Sequence, residues 1–146
     1  MTNLIIANTG SGNKGKSSSI KEVYKLLANQ YPESVNVIHP LESGDVKAII
    51  KVNDVFVGIE SQGDPNSRVF TSLGDFRKAG CQIIVVACRS YGNTKEAVEK
   101  MDKHGYQVVW AANDKYSDDS SIADYLNAKY AEHVVQLIED RIAGAF

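Results

Sequence analysis

The spacing of apolar residues changes period several times along the chain. Residues 4–7 form a short, unbroken isoleucine-rich run, the pattern of a strand covered on both faces. A glycine-rich stretch follows. Then Ile20, Val23, Tyr24, Leu26 and Leu27 recur at helical spacing. The chain therefore opens as strand, glycine-rich loop and helix. Residues 35–38 suggest a brief second strand, and Pro40 and Gly44 mark the next stretch as loop. Residues 46–52 and 55–60 are two β-rich runs whose cores are separated only by Asn53 and Asp54. Both of these types tolerate the positive φ of a tight hairpin turn, so a hairpin is expected.

A helix is expected over residues 67–78, closed by Gly80. Residues 82–87 read as a buried strand. Asn93 is the expected cap of a helix over 94–104 that ends at Gly105. The last strand spans 106–112, with Trp110 assigned to the core. Ser121 is the expected cap of a final helix over 122–143, whose apolar stripe runs from Tyr125 and Leu126 through Tyr130, Val134, Leu137 and Ile138 to Ile142. Strands alternate with helices, which predicts an α/β three-layer sandwich with a mostly parallel sheet and a β-hairpin.

The chain has 146 residues and is 43% hydrophobic, which suits one domain with its own core. The formal net charge of -2 gives no general attraction to nucleic acid or anionic membrane. Cys81 and Cys88 bracket one apolar run. In a strand they would stand about 23 Å apart at about 3.3 Å per residue. A disulfide cannot span that distance, so buried thiols in a reducing compartment are expected. The opening apolar stretch is too short for a signal peptide or membrane span, so a cytoplasmic protein is expected.

Chemistry concentrates in the glycine-rich loop. Gly10, Ser11, Gly12, Asn13, Lys14, Gly15, Lys16 and Ser17 satisfy G-x-x-x-x-G-K-[ST] at every position, and Ser18 follows. Successive backbone N–H groups can turn inward around a phosphate only where glycine removes the Cβ clash. The following helix points its positive end at the same anion. Here the motif lies between an apolar strand and an amphipathic helix, the context that gives it meaning. In this segment the chain resembles the P-loop nucleoside triphosphate hydrolases. That resemblance implies that Lys16 binds the outer phosphates of ATP or GTP and that Ser17 binds Mg²⁺. Lys14 and Asn13 fall in its variable part.

P-loop enzymes also place an acid at the end of a second core strand. Glu60 closes such a run and Asp64 follows in a polar loop, so Glu60 is the expected metal-side or water-orienting acid and Asp64 a second candidate. The hairpin before Glu60, Ser61, Gln62 and Gly63 is similar to that of small GTPases. Those use Asp where this chain has Glu60, and their base-reading Asn-Lys-x-Asp is not reproduced in Asn113, Asp114, Lys115 and Tyr116. Arg68, Arg77 and Arg89 are scattered, and Arg89 is the best placed for phosphate contact because it follows a core strand. The expected ligand is a nucleoside triphosphate with Mg²⁺. Hydrolysis is the favoured reaction. Transfer to a small-molecule acceptor and non-catalytic binding, with oligomers possible, are the alternatives.

Overall fold

The computed structural model describes residues 1–10, 16–63 and 68–146, with Lys16 described by its backbone only. Among these residues, six strands form one sheet: β1 (Asn3–Asn8), β2 (Val35–His39), β3 (Lys47–Val52), β4 (Val55–Glu60), β5 (Ile83–Ala87) and β6 (Tyr106–Trp110). Their spatial order is β2-β3-β4-β5-β1-β6. β4, β5, β1 and β6 run parallel, β2 shares their sense, and β3 alone opposes them. Among the described residues, four α-helices accompany the sheet: α1 (Lys16–Gln30), α2 (Val69–Lys78), α3 (Asn93–Glu99) and α4 (Ser120–Ile142).

Alternation along the strands divides the core in two. Leu4 and Ile6 of β1, with Ile83, Val85 and Ala87 of β5, meet Ile20, Val23 and Leu27 of α1 and Val134 and Ile138 of α4. Ile5 and Ala7, with Ile84 and Val86, meet Leu73 and Phe76 of α2 and Val98 of α3. Successive strand residues point to opposite faces, so an unbroken apolar run serves both layers of helices. The hairpin is present as read, with Asn53 at φ 46° and Asp54 at φ 69°.

Several boundaries differ from the sequence reading. The helix starting near Asn93 is α-helical only to Glu99 and continues as a 3₁₀ turn over Lys100–His104. Gly92 stands at its N-cap and Asn93 lies inside it, while Gly105 closes the turn at φ 84°. The cap of α4 is Asp119, whose carboxylate accepts from the N–H groups of Ser121 and Ile122. An ionised acceptor before the first turn outcompetes a hydroxyl inside it. Trp110 is 41% exposed because β6 is an edge strand, and Lys95 Nζ stands 5.6 Å from its ring centroid. Tyr125 is 60% exposed, since the first turns of α4 extend past the core, which the helix meets only from Tyr130 onward. Cys81 and Cys88 are both buried and form no disulfide, and burial pushes the Cys81 thiol up to about 12. Among the described residues, no helix is long and apolar enough to cross a membrane.

Candidate functional site

The parallel strands deliver their carboxyl ends to one edge, where open α/β sheets bind ligands. β1 ends there at Asn8, and its turn begins with Gly10. Asn8 is fully buried, and its Oδ1 accepts from the N–H of Gly10 at 3.1 Å and from the N–H of Asn113 at 3.0 Å. The Asn113 amide in turn donates to Ser19 Oγ on α1 at 2.8 Å and to Asn127 Oδ1 on α4 at 3.2 Å. The Ser19 hydroxyl donates to the same Asn127 oxygen at 2.9 Å. These amides tie the start of the glycine-rich loop to both helices of one layer and to the segment after β6.

At the other end of that loop, Ser17 lies in the first turn of α1. Its hydroxyl donates to Asp45 Oδ1 at 2.5 Å, and the fully buried Ser61 hydroxyl donates to the same oxygen at 2.8 Å. Ser61 Oγ also accepts from the N–H of Val46 at 2.9 Å, which locks the entry of β3 to the exit of β4. Lys21 Nζ approaches Asp45 Oδ1 to 3.9 Å. Burial alone would raise the Asp45 carboxyl. The hydroxyls of Ser17 and Ser61 and the charges of Lys21 and Arg68 outweigh it and hold the group below its ordinary 3.8.

Glu60 is fully buried at the end of β4. Arg68 grips it with a fork, from Nε to Oε1 at 2.8 Å and from Nη2 to Oε2 at 3.1 Å. Ser72 Oγ donates to Oε1 at 2.6 Å, and the N–H of Gln62 donates to Oε2 at 3.1 Å. The same Arg68 Nη2 donates to the carbonyl of Asp45 at 2.8 Å, so one guanidinium joins the two acidic residues. The pleat explains this division. Val55, Val57 and Ile59 pack into the α1 and α4 layer, so Glu60 emerges on the α2 side and Ser61 turns back toward α1.

Behind Glu60 the chain passes close under β5. A Cβ on Gly63 would lie 2.2 Å from the carbonyl oxygen of Ala87, so only glycine fits. Arg89, beyond β5, is half buried, and its N–H donates to Thr94 Oγ1 at 2.9 Å.

Of the residues singled out from sequence, Gly10, Ser17 and Glu60 share this edge. Ser18 is on α1 and exposed. Ser11, Gly12, Asn13, Lys14, Gly15 and Asp64 lie outside the described residues, as does the Lys16 side chain. The carboxylate on Ser17 is Asp45, which sequence reading left in a loop. Its sequence signal is weak, because an acid before a strand has no fixed spacing from the glycine-rich motif. Asn8, Asn113, Asn127 and Ser72 were missed as well, and Arg68, weighed only for phosphate contact, is instead the partner of Glu60, because side-chain pairing across elements leaves no local pattern. Among the described residues, no cluster of three or more His, Cys, Asp or Glu forms a metal cage. Comparison with protein-family models gives no match, and neither do comparisons with curated proteins and with solved structures.

Proposed function

We propose that the chain is a P-loop nucleotide-binding protein that holds ATP or GTP with Mg²⁺ over residues 10–18 and turns it over slowly. The observation that carries this reading is the pairing of Ser17 with Asp45, a hydroxyl at the start of α1 facing a carboxylate across the edge. The motif requires a hydroxyl on Mg²⁺ at that position, and a hard divalent ion takes oxygen donors. Ser17 and Asp45 therefore fit Mg²⁺, which when bound would neutralise charge between the outer phosphates. α1 carries no acidic residue in its first turn, so its positive end is left for an anion. Lys16 and the backbone N–H groups from Gly10 onward complete the phosphate cradle in this reading.

Glu60 keeps its role as the group that orients the attacking water. Its carboxylate oxygens already accept four hydrogen bonds, from Arg68, Ser72 and Gln62. With these bonds in place, an attacking water reaches the carboxylate only when Arg68 gives way. That favours tight binding with slow hydrolysis over rapid phosphoryl transfer.

Calorimetric titration of ATP and GTP, each with and without Mg²⁺, tests the reading. One nucleotide should bind at micromolar or better affinity and only with Mg²⁺. Lys16→Ala should weaken that binding at least tenfold, about 1.4 kcal/mol, while circular dichroism stays unchanged. Equal affinity in the variant would remove the phosphate-loop assignment.

A further inference from the structure

Arg141 stands in the last turn of α4 and is only 7% exposed. It packs where β1 and β6 begin, at the end of the sheet opposite the glycine-rich loop. A buried arginine is ordinarily met by an acid, because a guanidinium taken out of water needs a countercharge. The partners of this one are all uncharged. Its Nη2 donates to the carbonyl of Thr2 at 2.8 Å and to Gln107 Oε1 at 2.7 Å, and its Cζ lies 5.2 Å from the centroid of the Phe146 ring. Its Nε is buried with no acceptor among the described residues. Asp140, its neighbour on α4, accepts from Gln136 at 2.8 Å instead. The last carbonyls of α4 give only a partial negative charge, and those of Glu139, Asp140 and Arg141 already accept from the N–H groups of residues 143–145.

Arg141 also lines a cavity of about 400 Å³ between the start of β1, β6 and the end of α4. That volume falls within the roughly 300–1,000 Å³ of small-molecule sites. Thr2 and Gln107 give the cavity polar atoms, while Ile142 and Phe146 give it apolar surface. We infer that it binds a small monocarboxylate with an apolar body, the carboxylate resting on Arg141. This site is separate from the glycine-rich loop and does not rest on the nucleotide reading. Gln107 is exposed, so its side chain is free to swing into water. A carboxylate in the place of its amide would accept from Nε and Nη2 together, the fork that Arg68 makes with Glu60. One ligand group would thus supply both the missing acceptor and the missing countercharge. A phosphate dianion fits less well, because a single guanidinium faces it and the carbonyl end of α4 adds negative charge beside it. Ile142 and Phe146 would cover the apolar body.

Titration of hexanoate into the isotope-labelled full chain, followed through the arginine Nε–H signals, tests the inference. Hexanamide and inorganic phosphate are the controls, and the Arg141 signal is identified by its loss in Arg141→Lys. Hexanoate should shift that signal saturably, hexanamide should leave it in place, and phosphate should bind at least tenfold more weakly than hexanoate. Gln107→Glu builds the countercharge into the chain itself. It should raise Tm at neutral pH and weaken hexanoate binding at least tenfold. The inference is overturned by a hexanoate titration without a saturable shift, by an equal shift from hexanamide, or by phosphate binding as tightly as hexanoate. It is overturned as well by a Gln107→Glu variant whose Tm and hexanoate affinity both match the wild type, a result that does not depend on how well Arg141→Lys folds.

Discussion

At the scale of single residues, the informative contrast is between Asp45 and Glu60. The sequence marks Glu60, because an acid closing an apolar run is a visible pattern. The structure gives Ser17 to Asp45 instead and binds Glu60 to Arg68. Period-2 alternation could have been used to predict part of this. Val55, Val57 and Ile59 claim one face, so Glu60 falls on the other and Ser61 on theirs. Asp45 itself was not legible, because nothing local ties it to Ser17, 28 residues earlier. Its role makes two predictions. Asp45→Asn should remove the Mg²⁺ dependence of nucleotide binding, read by titration with and without the metal. It should also cost about 1 kcal/mol of stability at pH 7, the value of charge-assisted hydrogen bonds discounted for partial solvent exposure. The folded-state carboxyl titrates below its ordinary 3.8, so this contribution is complete above that pH and fades as pH falls through the folded value. Urea midpoints of wild type and variant should therefore converge as pH falls below 3.8. A gap that stays constant over that range would show that the Asp45 charge contributes nothing.

At the scale of elements, the site is held in place by how α2 seats on the sheet. Arg68 and Ser72 reach Glu60 only because α2 lies directly against β4. That approach is close: a Cβ on Gly58 would fall 2.5 Å from the Phe76 ring, and Phe76 is fully buried. Gly58→Ala should push α2 outward and cost about 1–3 kcal/mol by overpacking. Adding Phe76→Leu should recover part of that loss, because the smaller side chain yields the space. A double-mutant cycle by urea unfolding measures the coupling, and strict additivity would mean that the two residues do not meet. Element existence was readable here because each apolar run has a clear period. Function within elements was not. The stripe of α4 reads as continuous core from Tyr125 to Ile142, yet burial begins at Tyr130. Periodicity shows which side of a helix is apolar; it does not show where the sheet stops supporting it. The first turns of α4 overhang the edge, and so stay outside the core.

At the scale of the whole molecule, the strand order decides which residues can cooperate. The chain visits the far edge through β2 and returns by β3, β4 and β5 before β1 gains its second neighbour, β6. Gly10 at the end of β1 is thereby flanked by two late segments, those after β5 and after β6. The end of β1 thus borders much later sequence on both sides (Cys88 N–H to Asn8 O, 3.0 Å; Ala111 N–H to Ala7 O, 2.8 Å). No local pattern predicts that order, because pairing depends on which faces are left uncovered once the helices pack. A ligand spanning this edge would brace segments that backbone hydrogen bonds, the Asn8 and Asn113 amides, the Ser17 and Ser61 hydroxyls and the Arg68 guanidinium already join. Binding to the folded state alone stabilises it by mass action, about 2.7 kcal/mol at a concentration 100 times Kd. For a chain of this length that corresponds to roughly 5–10 °C in Tm. Saturating Mg²⁺-nucleotide should therefore raise the melting temperature of the wild type by that amount, and that of Lys16→Ala by much less. Hydrogen exchange should locate the gain: amides after β1, at Asn113 and in the first turns of α4 should slow together. Protection confined to α1, with the β6 side unchanged, would mean that the ligand stops at the loop and does not reach across the edge.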